Sequence, residues 1–145
     1  MARASRKRSK PPSLGRALIV EDDVLLAMAL EDALLAGGAE KVVVCDGVAA
    51  AMAELETLKP DILVLDVMLA DRGDGWALAE LVTELNPRPP AIVFSTGAPE
   101  RIPEKVAELG AVLAKPYDPD ALIAVLAEYR RKPGLLRRLR EAFAG

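Results

Sequence analysis

Five short apolar runs, at residues 17–20, 41–45, 62–65, 91–95 and 111–114, alternate along the chain with stretches of helical periodicity. Each run holds four apolar residues in a row, which suits a strand buried on both faces, the condition of a parallel sheet. The intervening stretches carry helix stop and start signals. Residues 24–36 close on Gly37-Gly38, 48–58 stop before Lys59-Pro60, and 75–85 stop before Asn86-Pro87. Residues 103–109 form a shorter piece closed by Gly110, and 118–131 open on Asp118-Pro119, a cap followed by proline at the first helical position. Strand–helix alternation of this kind predicts an α/β fold: a doubly wound (βα)5 parallel sheet covered on both faces by right-handed crossovers.

A chain of 145 residues is one domain on size, and its 52% hydrophobic content is enough for a single core built from Ala, Val, Leu and Ile. Cys45 is the single cysteine, so no internal disulfide forms, and its place in VVVC reads as a buried strand position. The chain has no histidine. That excludes a phosphohistidine donor, a Ser-His-Asp triad and any histidine-bearing metal site within it. No apolar run approaches the roughly 18 residues a membrane helix needs, and no apolar stretch follows the basic N-terminus, so a cytoplasmic protein without membrane insertion is expected.

Charge is segregated. Residues 1–16 carry a formal +6, residues 129–145 carry +5, and the stretch between them carries −14. Residues 1–16, polar and ending near a Pro-Pro pair, read as a disordered basic arm. Residues 17–131 form the folded domain. Residues 132–145 form a basic tail in which Leu135, Leu136, Leu139 and Phe143 have the spacing of a short amphipathic helix.

Four of the apolar runs end in residues suited to phosphate chemistry: Glu21, Asp22 and Asp23, then Asp66, then Thr96, then Lys115. Ligands of open α/β sheets bind beyond the carboxyl ends of the strands, so the topology gathers these residues on one edge. Taken singly, each has a plainer reading. Asp66 would start a loop, one acid of the triplet would cap a helix, Thr96 would end a strand, and Lys115 would be a surface charge. Three adjacent acids repel one another, however, and a hard cation relieves that repulsion; Mg²⁺ takes a few carboxylates plus water and phosphate oxygens. Together the residues make a phosphoryl-transfer site, with Asp66 as nucleophile, Glu21 and Asp22 as metal-holding acids, and Thr96 and Lys115 on the phosphoryl oxygens.

In these motifs the chain, from about Ala17 to Arg131, resembles the receiver domain of bacterial two-component response regulators. The resemblance implies a flavodoxin-like fold with strand order 2-1-3-4-5, Mg²⁺ as cofactor, and phosphorylation of Asp66 by a sensor histidine kinase or phosphotransfer protein. It assigns Glu21, Asp22, Asp66 and the backbone carbonyl of Met68 to the metal, with Asp22 as the direct ligand of the acidic pair. It also implies a cis Lys115–Pro116 peptide. The expected protein is a signalling phosphoacceptor, not an enzyme turning over a separate substrate, and a stand-alone receiver acting on a downstream protein.

The sequence departs from the family pattern in several places. Ala70 stands where proline is usual, and Gly75 lies nine residues beyond Asp66, so ADRGDG is expected to be a loop one residue longer. Val112 replaces the usual switch aromatic. FSTGAPE is similar to a Phe-x-Thr-Gly subgroup of single-domain receivers from alphaproteobacteria tied to stress signalling, with Pro99 in place of its tyrosine. Met68 and Ala98, which would flank the phosphoryl group, are apolar and cannot orient water, so slow self-dephosphorylation is expected.

Two other functions fit part of the pattern. A Mg²⁺-dependent phosphatase with an aspartyl-phosphate intermediate would need a second aspartate where Met68 stands. A degenerate receiver would bind partners without phosphorylation. The basic ends could contact nucleic acid through phosphates, dock on an acidic partner or on another copy in a homodimer, or remain solvated.

Overall fold

The computed structural model describes residues 13–68 and 75–131. The elements follow one another as β1 (Gly15–Val20), α1 (Val24–Ala36), β2 (Ala39–Cys45), α2 (Val48–Leu58), β3 (Ile62–Asp66), α3 (Gly75–Leu85), β4 (Ala91–Thr96), a 3-10 turn (Pro99–Arg101), α4 (Glu104–Ala107), β5 (Ala111–Ala114) and α5 (Pro119–Arg131). All strand pairs are parallel and the sheet order is β2-β1-β3-β4-β5, as expected.

Alternation along each strand sorts the core into two layers. Leu18, Val20, Leu63, Leu65, Ile92 and Phe94 pack with α2, α3 and α4. Ala17, Ile19, Ile62, Val64 and Val93 pack with α1 and α5 through Leu30, Leu34, Leu122 and Leu126. Central strand β3 is buried throughout, its apolar run at 62–65 and Asp66 alike. The edge strands β2 and β5 are only partly buried, which departs from the expectation of five strands buried on both faces, because each is flanked by another strand on one side only.

Two boundaries differ from the sequence reading. The strand β1 starts at Gly15 and Leu14 is buried, so residues 13–16 belong to the folded body and not to the basic arm. Leu14 is the physical reason: it joins the core beneath α1 and α5, while its N–H donates to Gly38 O at 3.2 Å. The helix expected at 103–109 is only one turn long, Glu104–Ala107, preceded by a separate 3-10 turn. Pro99 and Pro103 punctuate this segment at its start, and Gly110 limits it at the end. A Cβ at Gly110 would run into the carbonyl of Ile92, so the entry to β5 passes β4 only with glycine there. The rest of the basic arm, the tail at 132–145 and most of the ADRGDG loop lie outside the described residues.

Candidate functional site

Register brings the strand ends level. Val20 pairs with Leu65, Asp66 with Ser95, and Thr96 with Ala114. The residues that follow or end these strands (Glu21, Asp66, Thr96 and Lys115) therefore share the carboxyl edge of the sheet, although 94 positions separate the first from the last.

The acidic triplet after β1 divides its work. Asp23 is the N-cap of α1, its carboxylate accepting from Leu26 N–H at 3.1 Å. Glu21 turns inward and is 3% exposed, with Oε2 accepting from Asp23 N–H at 3.0 Å. Asp22 remains exposed at the rim. Carboxylate oxygens of Glu21, Asp22 and Asp66 all lie within 4.8 Å of one another.

Asp66 ends β3 and is 4% exposed. Its Oδ1 accepts from Met68 N–H at 2.8 Å, and its Oδ2 accepts from Lys115 Nζ at 3.1 Å. The same ammonium stands 3.0 Å from Glu21 Oε1. That contact is an ion pair without hydrogen-bond alignment, leaving Glu21 Oε1 as a buried side-chain oxygen with no hydrogen bond among the described residues. Burial raises the pKa of Glu21, and neighbouring Asp66 adds to the rise against the opposing pull of the Asp23 amide and Lys115. For Lys115 burial works against the charged form, but the Glu21 and Asp66 carboxylates outweigh it and hold the pKa above its usual value. The cluster thus holds three carboxylates against one ammonium.

Thr96 is fully buried, and its Oγ1 accepts from Ala98 N–H at 3.0 Å. A hydroxyl that accepts there still has its own proton to donate. The Lys115–Pro116 peptide is cis, as the resemblance implies. Tyr117, two residues beyond Lys115, has its hydroxyl 2.7 Å from Ser95 Oγ. Sequence reasoning missed this pair, because Ser95 reads only as the polar end of a strand and lies 22 positions away.

The arrangement suits a hard divalent cation. Its donors are all carboxylate oxygens, one buried oxygen has no hydrogen bond, and two of the three acids are shielded from water. The donor set includes no sulfur or nitrogen to favour a softer metal.

The model of the response regulator receiver domain matches residues 17–127. The sensory transduction protein LytT of Bacillus anthracis is 32% identical over 119 residues, covering 79% of this chain and 47% of that protein. RegX3 of Mycobacterium bovis is 36% identical over 121 residues, covering 81% of this chain and 51% of that protein. The chain therefore spans about half the length of these curated relatives. Among solved structures, the CheY-like receiver domain from Methylobacillus flagellatus has a TM-score of 0.70 at 26% identity, covering 80% of this chain and 98% of that one. The receiver from Bermanella marisrubri has a TM-score of 0.68 at 27% identity, covering 81% and 98%.

Proposed function

The chain belongs to the response regulator receiver family of two-component signalling, and on that premise we propose that Asp66 is its phosphoacceptor. The observation that carries the assignment is the convergence on this carboxylate: Lys115 Nζ at 3.1 Å on one oxygen, and the Glu21 and Asp22 carboxylates within 4.8 Å.

In the proposed reaction an oxygen of Asp66 attacks the phosphorus of a phosphohistidine on a sensor kinase or phosphotransfer protein. The phosphorus–nitrogen bond breaks with its electron pair leaving on the imidazole, and an acyl phosphate forms on Asp66. Glu21, Asp22, Asp66 and the carbonyl of Met68 would hold Mg²⁺, which when bound supplies positive charge to the phosphoryl oxygens. Lys115 stays on the reacting carboxylate and offers its ammonium to a phosphoryl oxygen as negative charge gathers there. Thr96 donates its free hydroxyl proton to another. Near-burial of Asp66 limits competing water at the strand end.

We read the protein as a signalling phosphoacceptor, not an enzyme with a separate substrate, working in the cytoplasm on a downstream protein partner. No described helix is long and apolar enough to cross a membrane. The phosphatase alternative is disfavoured because Met68, with its side chain 44% exposed at the site, offers no acid or base.

The test is to mix the protein with Mg²⁺ and acetyl phosphate and weigh it intact. Wild type should gain one phosphoryl group and Asp66→Asn none. Continuous release of phosphate without a stable adduct would favour the phosphatase reading, and absence of both would favour a degenerate receiver.

A further inference from the structure

Lys115 is carried on a loop that is tied to β4 on both sides of Pro116. Before the proline, Lys115 N–H donates to the carbonyl of Thr96 at 2.8 Å. After it, the Tyr117 hydroxyl meets Ser95 Oγ at 2.7 Å, with either group able to donate. The two anchor points are consecutive residues of β4, both fully buried. Ser95 is also the register partner of Asp66. The Tyr117 ring packs against the core layer beneath α1 and α5, so its hydroxyl reaches Ser95 from a fixed base. Burial raises the Tyr117 pKa above its ordinary value, favouring the protonated hydroxyl.

A lysine side chain has four rotatable methylenes, and here its ammonium must serve two carboxylates at once. One backbone anchor would leave the loop free to pivot about β4; the second removes that freedom. We propose that Ser95 and Tyr117 form a positioning pair that fixes the 115–117 segment on β4 and so holds the Lys115 ammonium where phosphoryl transfer to Asp66 needs it. The inference rests on Asp66 being the phosphoacceptor. It gives Tyr117 a link to the site in a chain where Val112, 37% exposed on β5, offers no aromatic ring or hydroxyl for that purpose.

The test compares wild type, Ser95→Ala, Tyr117→Phe and the double variant. Each is treated with acetyl phosphate and Mg²⁺, with the Asp66 adduct followed by intact mass and melting measured in parallel. Either single variant leaves one hydroxyl of a partly buried contact without its partner, so both phosphorylation rate and melting temperature should drop. The rate should fall about three- to tenfold, the range that one hydrogen bond's net contribution corresponds to. The double variant replaces both partners with apolar groups, so its melting temperature should largely recover. Its phosphorylation should stay as slow as that of the slower single variant. In a Lys115→Ala background, Tyr117→Phe should still lower the melting temperature but leave the residual rate unchanged.

A double variant whose rate returns along with its melting temperature would overturn the proposal and reduce the pair to a structural contact. So would an undiminished rate effect in the Lys115→Ala background. If wild type itself gains no phosphoryl group, the phosphoacceptor reading fails first, and that result is visible before any variant is made.

Discussion

Lys115 Nζ lies 3.1 Å from Asp66 Oδ2 across 49 positions of sequence, and 3.0 Å from Glu21 Oε1. One ammonium therefore balances two nearly buried acids where a divalent ion is proposed to bind. Lys115→Gln removes the positive charge that competes with the metal. Its Mg²⁺ affinity should rise by about tenfold, since charges a few ångströms apart in a partly buried site interact by more than 1 kcal/mol. Phosphorylation of Asp66 should nevertheless slow, because no positive charge then meets the phosphoryl oxygen from that side. Isothermal titration and intact mass would separate the two effects; weaker Mg²⁺ binding in this variant would contradict the electrostatic picture.

Glu21 should act in opposite directions on the fold and on the metal. Burial raises its pKa in the folded state, so the folded protein prefers it protonated. For a raised acid, the stabilising contribution is present below the unfolded-state pKa and lost as pH rises through the folded-state value. Without Mg²⁺, stability should therefore decline as pH climbs out of the acid range, and Glu21→Gln should flatten that decline and raise the urea midpoint at neutral pH. The same change removes a carboxylate charge from the proposed Mg²⁺ site and should weaken binding by at least about tenfold, since charges a few ångströms apart in a partly buried site interact by more than 1 kcal/mol. Urea titrations should place the Glu21→Gln midpoint above that of wild type in chelator and show a smaller gain than wild type on adding excess Mg²⁺.

The phosphorylated state should be long-lived. Ala98 gives its N–H to Thr96 Oγ1 but carries only a methyl group, and Met68 is apolar, so neither side chain can align water on the phosphorus. Ala98→Glu adds a carboxylate there and should shorten the phosphoryl half-life by about tenfold, less than the 10² of a well-positioned base. Loss of the intact-mass adduct over time measures this directly. A wild-type half-life shorter than that of the variant would defeat the argument.

Most of the fold was legible because the central strands β1, β3 and β4 show as unbroken apolar runs, and all five helical stretches carried cap or breaker residues at an end. Helix α4 is shorter than its stretch of sequence suggests, since a proline and a glycine seven positions apart leave room for little more than one turn. The site was legible as a set of strand-end residues, because topology alone carries such ends to one edge. How its members pair was not. The triplet at 21–23 does not reveal that Glu21 is buried while Asp23 caps a helix, nor that Lys115 bridges two acids. Those choices depend on side-chain direction at a strand end. The Ser95–Tyr117 pair was hidden for the same reason, as hydroxyl contacts between distant residues leave no periodic trace.

Gly110 is a stability determinant with no part in the chemistry. Its missing Cβ would meet the Ile92 carbonyl, a backbone atom that cannot swing aside. Gly110→Ala should cost about 1–3 kcal/mol, as overpacking against fixed atoms does. Urea denaturation should show a lowered midpoint, and an unchanged one would mean that the turn into β5 shifts freely.

Cys45 should be a poor nucleophile in the folded protein. It is 6% exposed at the end of β2, and burial raises its pKa, with Glu54 and Asp46 adding repulsion against a thiolate. The fold therefore favours the protonated thiol. Its stabilising contribution is complete below the unfolded-state thiol pKa and is lost as pH rises through the raised folded value. Two consequences can be measured together. Near pH 8, iodoacetamide should modify the native protein at least tenfold more slowly than the urea-unfolded chain, because both access and thiolate fraction fall on folding. Stability should also decline above the ordinary thiol range, and Cys45→Ala should remove the part of that decline due to this group. Native labelling as fast as in urea would show that the end of β2 opens readily, contrary to its packing beside Val20 and Ala51.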